Sequence, residues 1–402
     1  MRIELMKDAK RTSTRVNGLR PTAVNRILAD VREIQQGGVQ TVSLMRGEPD
    51  FPTPAFIVEA ATEALARGRT TYPNNQGELA LRAAITERLE RRMGLRYDPD
   101  DQILVTTGAT LGLSTALATL LNPGDEVVLP QPIYDAYLPV IDHLGGFTQS
   151  VEAKIARGRF TIEPDDLAAA CTERTRVLLL NTPWNPTGSV LTRDELAVVM
   201  EVAAQRDLVV VSDEIYEEIL YDDRVHVSPA TLSDDAASRT IIVNSFSKTY
   251  AMTGWRLGYC AGPAALIRAM GLALQQSSRG PATFVQDAGA AALQGPQDCI
   301  TTMLAEYTAR RDLVRRRLGD IPGVDLLVPE GGFFAMVDLR QWGQSSDKIR
   351  KRLLKEFGVV VAHGAAYGAA AEGTLRVSFA SGGENLETGL QRLHSGLLEL
   401  QR

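Results

Sequence analysis

Apolar residues in the middle of the chain occur as short continuous runs separated by stretches of helical spacing. The runs have the length of buried strands, and they lie at 103–107, 127–129, 177–180, 208–212, 240–243 and 257–261. One of the intervening stretches, 194–205, has the apolar spacing of a helix, and Thr192 is placed to cap it. Apolar strands that alternate with helices predict a mostly parallel sheet covered on both faces.

The two ends of the chain have a different pattern. Near the N-terminus, helical spacing at 22–36, 55–67 and 78–93 surrounds a short strand at 42–45. After Pro322, short strands and helices alternate again at 332–337, 346–357, 359–362, 375–379 and 385–398. We expect residues 50–315 to form one large α/β domain. Residues 316–402 would form a smaller domain, with residues 1–49 as an N-terminal arm and part of that small domain.

Composition narrows the class of protein. The 402 residues carry a net charge of −6 with pI near 5.5, which argues against a nucleic-acid binder. Cys171, Cys260 and Cys299 are odd in number and widely spaced, so they suggest neither a disulfide framework nor a metal site, and the four histidines show no ligand spacing. The first residues lack the apolar core of a signal peptide, and no apolar run approaches the roughly 18 residues that span a bilayer. The sequence therefore predicts a cytoplasmic protein without a metal.

The chemistry concentrates after the strand at 240–243. There the chain reads Ser245-Phe-Ser247-Lys248, followed by Arg256 in a stretch of small residues. A lysine held away from water loses its proton readily and becomes a nucleophile towards carbonyl groups. The two serines and the arginine are donors suited to a phosphate. A reactive amine beside an anion site indicates a phosphorylated aldehyde as the ligand.

Other predicted strands end in complementary groups. In open α/β sheets, ligands bind at the carboxyl ends of the strands. The strand at 103–107 leads through Gly108, Ala109 and Thr110 into a helix, whose free N–H groups form an anion site. The strand at 177–180 is followed by the amide of Asn185, and the strand at 208–212 by Asp213 and Tyr216.

Together these motifs resemble the class I/II aminotransferases, the fold-type-I pyridoxal-5′-phosphate enzymes related to aspartate aminotransferase. The resemblance runs from the Arg46-Gly-Glu-Pro-Asp-Phe loop to Leu375-Arg376-Val-Ser-Phe, and its most specific part is Ser-x-Ser-Lys-x-x-x-Met-x-Gly-x-Arg-x-Gly. It implies a large domain with a mostly parallel, seven-stranded type of sheet and a smaller α/β domain built from both chain ends. It also implies an aminotransferase that moves an amino group between an L-amino acid and a 2-oxo acid.

The resemblance assigns a role to each site residue. Lys248 would form the internal aldimine and carry the proton, Asp213 would pair with the ring nitrogen, and Asn185 and Tyr216 would bind the ring phenolate. The phosphate would be held by Ser245, Ser247, Arg256 and the backbone of Gly108, Ala109 and Thr110. Tyr134 would stack on the ring, and Tyr72 would reach the phosphate of the partner subunit, which implies a homodimer with shared active sites. Arg376 would bind the substrate carboxylate with help from Gly47 and Asn185.

Two questions stay open at this level. The cofactor motifs do not separate transamination from a carbon–sulfur β-lyase or an aminocyclopropane carboxylate synthase-like enzyme, because fold and cofactor do not fix the reaction. A transcription regulator built on the same fold would need a DNA-binding domain ahead of the Gly47 loop, and no helix-turn-helix pattern occurs there. For the substrate side chain, Arg46 or Arg279 would favour an acidic or polar amino acid.

Overall fold

A computed structural model describes residues 11–19 and 21–401 of the chain. The predicted N-terminal arm therefore lies partly outside the described residues. Fifteen helices occur in the described part of the chain: α1 Thr14–Gly18, α2 Ala23–Gln36, α3 Ala55–Ala66, α4 Leu79–Met93, α5 Ala109–Leu120, α6 Tyr137–His143, α7 Pro164–Ala170, α8 Arg193–Gln205, α9 Asp234–Arg239, α10 Phe246–Thr249, α11 Ala264–Gln275, α12 Thr283–Gln294, α13 Asp298–Leu318, α14 Ser346–Phe357 and α15 Gly383–Leu400.

The same residues contain fifteen strands, most of them short. They are β1 Val42–Ser43, β2 Ile103–Thr106, β3 Glu126–Gln131, β4 Phe147–Glu152, β5 Lys154–Ala156, β6 Arg159–Thr161, β7 Thr175–Asn181, β8 Val209–Asp213, β9 Thr240–Ser245, β10 Gly258–Ala261, β11 Asp325–Leu327, β12 Phe334–Asp338, β13 Val359–Val360, β14 Ala362–His363 and β15 Thr374–Ser378.

A seven-stranded sheet forms the centre of the molecule, in the order β2-β10-β9-β8-β7-β3-β4. All neighbouring pairs are parallel except those that involve β10, which runs antiparallel to both β2 and β9. Helices cover the sheet on both faces, so β2 and β9 are buried along their whole length. This arrangement confirms the predicted α/β fold with a mostly parallel sheet.

A second, antiparallel sheet of four strands lies towards the C-terminus, in the order β11-β12-β15-β14. The N-terminal segment joins this region, because β1 pairs in parallel with β13 at Val42 and Val359. Helix α2 packs against α14 through buried Ile27 and Val31 and the side chain of Leu354. Both chain ends therefore contribute to one packed unit, and the domain boundaries at residues 50 and 316 stay a prediction.

Asp50 connects the loop that follows β1 to two other parts of the chain. Its carboxylate accepts a hydrogen bond from Arg310 Nη1 on α13 at 2.8 Å and another from the Gly382 N–H, after β15, at 2.8 Å. Arg310 Nη1 also donates to the Ala380 carbonyl at 2.7 Å. The loop is thus fixed to α13 and to the turn between β15 and α15.

A buried charge network lies next to β8. The carboxylate of Glu214 accepts hydrogen bonds from Ser212 Oγ at 2.8 Å and Ser228 Oγ at 2.7 Å, and it lies 2.8 Å from His226 Nε2. Burial alone would lower the pKa of His226, but Glu214 outweighs that effect, so the pKa of His226 is raised. The contact with Glu214 therefore favours the charged imidazolium form of His226.

The helices and strands predicted from the apolar runs are present within one to three residues at most ends, and Thr192 caps α8 in a capping box. The features that were not predicted include helix α1 in the N-terminal segment, the edge strand β4, the β5–β6 hairpin and strand β11. Their residues are largely exposed or too few to form an apolar run. In the described part of the chain, no helix is both long enough and apolar enough to cross a membrane.

Replacing Glu214 with Gln should destabilise the protein by about 2–4 kcal/mol, because it leaves a buried imidazolium without its counter-ion. His226 has a raised folded-state pKa, so its contribution is complete below the ordinary value of 6.5 and disappears as the pH rises through the folded-state value. The difference between wild type and variant in urea denaturation should therefore shrink from pH 6 to pH 9.

The matched control is Glu63→Gln, since Glu63 forms only an exposed pair with Arg67 at 3.5 Å. Its effect should stay within about 0.5 kcal/mol. A Glu214→Gln variant as stable as this control at pH 6 would contradict the assignment.

Candidate active site

The carboxyl ends of β7, β8 and β9 and the start of α5 face one cavity of about 520 Å³. Twelve of the residues predicted from the sequence line it: Gly47, Ala109, Thr110, Tyr134, Asn185, Asp213, Tyr216, Ser245, Ser247, Lys248, Arg256 and Arg376. A larger groove of about 950 Å³ lies between α13 and β11, and it contains none of the predicted site residues. The strand ends therefore bring together the groups that the sequence places far apart.

Lys248 lies on the single turn of α10, directly after β9, and Ser245 caps that turn through its side chain. The Lys248 Nζ donates a hydrogen bond to the Gly47 carbonyl at 2.6 Å. Burial lowers the pKa of Lys248 from 10.5 to about 8; Arg256 and Arg376 lower it further, while Glu48 and Asp213 oppose the change. A substantial fraction of this amine is unprotonated slightly above neutral pH, as a nucleophile requires.

Asp213 is the last residue of β8 and is buried. Burial raises the pKa of its carboxyl group to about 6, against the effect of hydrogen bonds from the Tyr137 hydroxyl and the Ile215 N–H. A buried carboxylate with this pKa gains free energy from a positively charged partner in the cavity. Tyr137 was not among the residues predicted from the sequence, although it follows Tyr134 by three positions and their rings meet edge to face at 5.5 Å.

Asn185 and Tyr216 lie near this carboxylate, and each residue is held in position by contacts with its own neighbours. The Asn185 N–H donates to Asn181 Oδ1 at 2.7 Å, and Asn181 Nδ2 donates to the Asp213 carbonyl at 3.0 Å, so Asn181 joins two strand ends. The buried ring of Tyr216 packs edge-on against Phe333 at 5.4 Å between centroids. Asn181 was also missed, because its partner Asp213 lies 32 positions away along the chain.

Arg256 lies against the N-terminus of α5. A Cβ atom added to Gly108, whose φ is +81°, would approach Arg256 Nη2 to 2.5 Å, so only glycine allows this contact. The hydroxyls of Ser245 and Ser247 are hydrogen-bonded at 2.8 Å and line the same cavity. Among the described residues no carboxylate pairs with Arg256, whose Nη1 donates only to the Thr253 carbonyl at 3.0 Å. A guanidinium, two hydroxyls and a helix N-terminus fit a phosphate.

Arg376 on β15 closes the other end of the cavity, and only 4% of its surface is exposed. Its guanidinium lies between the rings of Phe334 and Tyr367, at 4.2 and 4.8 Å from their centroids. It donates to Asn185 Oδ1 and to the Met45 carbonyl, both at 3.2 Å, while its Nε has no hydrogen-bond partner in the described structure. A buried cation with unused donor capacity is a site for a carboxylate.

Three further predictions concern residues outside this arrangement or at its margin. Tyr72 is 88% exposed, does not line the cavity, and lies 5.8 Å from the guanidinium of Arg279, measured to its ring centroid. Arg46 lines the cavity, but its charge is paired with Glu48 at 2.9 Å. Within this chain, neither Arg46 nor Arg279 therefore offers a free positive charge to the cavity.

Comparison with known proteins agrees with this geometry. The chain matches the model of the family described as aminotransferase class I and II over residues 39–393. It is 37% identical to aromatic-amino-acid aminotransferase 2 of Thermococcus litoralis over 389 residues, which cover 96% of this chain and 98% of that protein. It is 41% identical to the arginine–pyruvate transaminase of Pseudomonas aeruginosa over 357 residues, 89% of this chain and 90% of that one.

Among solved structures, a single mutant of aspartate aminotransferase from Thermus thermophilus superposes with a TM-score of 0.90. The two share 36% sequence identity, and the alignment covers 96% of this chain and 99% of the other. Identity at this level over nearly the whole length, together with the family match, establishes both the fold and the type of enzyme. The chain belongs to the class I and II aminotransferase family.

Proposed function

We propose that the protein is an aminotransferase that uses pyridoxal 5′-phosphate to move an amino group between an L-amino acid and a 2-oxo acid. The observation that carries this proposal is a lysine with a pKa near 8 between two arginines that lack carboxylate partners in the described structure. One arginine lies at a helix N-terminus and fits a phosphate, and the other fits an α-carboxylate. The single cavity thus accommodates both a phosphorylated aldehyde and an amino acid.

The residues of the site fit this cofactor. Arg256, Ser245, Ser247 and the N–H groups at the start of α5 would hold the phosphate, and Asp213 would face the ring nitrogen. When bound, pyridoxal phosphate supplies an aldehyde that condenses with amines and a ring that accepts the electrons of the Cα–H bond. Asn185 and Tyr216 line the same cavity and would donate hydrogen bonds to the ring oxygen, and Tyr134 would stack on the face of the ring.

The chain's own groups account for the remaining steps. Arg376 fixes the substrate carboxylate, which places the α-carbon near Lys248, and the Asn185 amide supports that position. Lys248, with its pKa lowered to about 8, would remove the proton from the substrate Cα and, within the same half-reaction, deliver it to the former aldehyde carbon of the cofactor. The second half-reaction would run this transfer in reverse. The hydrogen bond from the Lys248 Nζ to the Gly47 carbonyl supports this role, since Gly47 is one of the residues proposed to bind the substrate.

We also propose that two copies form the active unit, with shared active sites. Tyr72 and Arg279 support this proposal, because these two large side chains stack on each other at the exposed surface of the chain. Tyrosine and arginine are enriched at interfaces between proteins, where such side chains become buried. A cytoplasmic location stays a prediction. The named substrates of the relatives include aromatic amino acids, aspartate and arginine, so relationship alone does not choose the amino acid.

The reaction itself is tested with the cofactor-loaded enzyme and an amino acid alone. A transaminase should release one equivalent of 2-oxo acid per site and then stop, with loss of the cofactor's aldehyde absorbance. Lys248→Ala should slow this burst by about 10⁴-fold or more, because both the nucleophile and the proton carrier are removed. Continued release of ammonia without a burst would indicate elimination and contradict the proposal.

The matched control is Lys355→Ala, since Lys355 is an exposed lysine on α14. This variant should give the same burst as the wild type. Borohydride reduction followed by peptide mass spectrometry should find the cofactor on Lys248 and on no other lysine.

Arg376→Ala should raise KM for amino acid substrates about 10- to 150-fold, the expected loss of a charge-assisted bidentate contact. The half-reaction rate at saturation should change less, because the cofactor contacts stay in place. Arg67→Ala, a change at an exposed arginine, serves as control. An unchanged KM in Arg376→Ala would place the carboxylate site elsewhere.

Tyr72→Ala should weaken retention of the cofactor by about 3- to 10-fold if the hydroxyl reaches the neighbouring subunit's phosphate, as one neutral hydrogen bond predicts. Equilibrium dialysis of pyridoxal phosphate against the apoenzyme measures the effect, and sedimentation velocity should give twice the chain mass of 43.7 kDa. Phe147→Ala, at another exposed aromatic residue, should leave the affinity unchanged. A monomer with full affinity would contradict the shared site.

A further inference from the structure

Three buried polar atoms without hydrogen-bond partners among the described residues belong to Asp135 and Arg376, which line the cavity, and to Tyr367, whose ring centroid lies 4.8 Å from the Arg376 guanidinium. They are Asp135 Oδ2, the Tyr367 hydroxyl and Arg376 Nε, and each is buried without a partner in the described structure. The three groups also interact electrostatically, since Asp135 and Arg376 shift the pKa of Tyr367 in opposite directions. Buried polar atoms without partners cost free energy, and a cluster of them indicates a group that the folded chain alone does not supply.

Asp135 follows the ring-stacking Tyr134 and lines the cavity together with Val24 and Met45. Burial raises the pKa of its carboxyl group, while the Val24 N–H, the guanidinium of Arg376 and the Thr22 hydroxyl oppose the change. The carboxylate is thus hydrogen-bonded to the beginning of α2, and its second oxygen, Oδ2, has no hydrogen-bond partner in the part of the chain that the structure describes. Arg376, the proposed site of the substrate carboxylate, is close enough to act electrostatically on the Asp135 carboxylate.

Two charged groups that line the cavity, Lys248 and Asp135, have no partner among its other charges, and Lys248 is the group that the cofactor's aldehyde would take up. Arg256 matches the phosphate, Asp213 matches the ring nitrogen, and Arg376 matches the substrate carboxylate. Arg46 and Glu48 neutralise each other. Asp135 remains, and none of the ion pairs between described residues includes it. A buried carboxylate without a counter-ion favours a positively charged ligand.

We propose that Asp135, assisted by the hydroxyl of Tyr367, recognises a substrate side chain that ends in a guanidinium or an ammonium group. This inference rests on the proposed aminotransferase function and gives its substrate class. It is an alternative to the prediction that Arg46 or Arg279 favours an acidic or polar side chain, and it is supported by the pairing of Arg46 with Glu48. The hydroxyl of Tyr367, only 2% of whose surface is exposed, can accept a hydrogen bond from the same side chain.

Binding of unreactive acids tests the subsite without catalysis. The cofactor-loaded enzyme is titrated with 5-guanidinopentanoate and with its neutral isostere 5-ureidopentanoate, and binding is followed by the cofactor absorbance. We expect the wild type to bind the guanidino acid about 10- to 100-fold more tightly, the range for a charge-assisted hydrogen bond. A ratio near one in the wild type would overturn the proposal.

Asp135→Asn keeps an acceptor for the Val24 N–H but removes the charge, so the ratio of the two dissociation constants should fall to within about threefold. Tyr367→Phe is a second variant, and it should lower the ratio by about two- to tenfold. The control Asp142→Asn changes an exposed aspartate on α6 and should leave the ratio at its wild-type value. An unchanged ratio in Asp135→Asn would mean that the carboxylate only anchors α2.

The amino acid half-reaction separates this inference from the function on which it rests. If glutamate and alanine give the burst of 2-oxo acid while the binding ratio is near one, the aminotransferase stands and the subsite is wrong. If no amino acid gives a burst, the proposed function is wrong. In that case the binding ratio still shows whether Asp135 recognises a cation.

Discussion

The direction of the parallel strands is the constraint on which the site depends. Strands β7, β8 and β9 run the same way, so their last residues reach the same edge of the sheet. Asn181, Asp213 and Ser245 end these three strands and become neighbours without any local sequence relation. Helix α5 begins at the same edge and adds its unpaired N–H groups. The cavity is thus a product of topology before it is a product of individual side chains.

Much of this could be predicted from the sequence, and the reason differs from element to element. Buried strands such as β9 have continuous apolar runs, because both faces are covered by helices. Strand β4 lies at the edge of the sheet and exposes most of its residues, so it has no such run. The strands of the β5–β6 hairpin have only three residues each, which is too few for an alternation of apolar and polar residues to be recognised.

The residues of the candidate site also divide into those with a signal in the sequence and those without one. Lys248, Asp213 and Asn185 were predicted because each follows a recognisable strand. Tyr137 was not, because its contact is made with a residue distant in sequence: its hydroxyl donates to a carboxylate 76 positions away. Pairings of this kind are set by packing, and no spacing rule along the chain identifies them. A single sequence therefore identifies the reactive amine better than the groups that orient its neighbours.

The contact of Asp50 with both α13 and the turn after β15 has a mechanical consequence. Gly47, whose carbonyl receives the hydrogen bond of Lys248, lies three residues before Asp50 in the same short loop. A shift of the small sheet relative to α13 would therefore strain the loop to which Lys248 is hydrogen-bonded. Lys248 and the sheet that carries Arg376 are in this way connected through only a few residues.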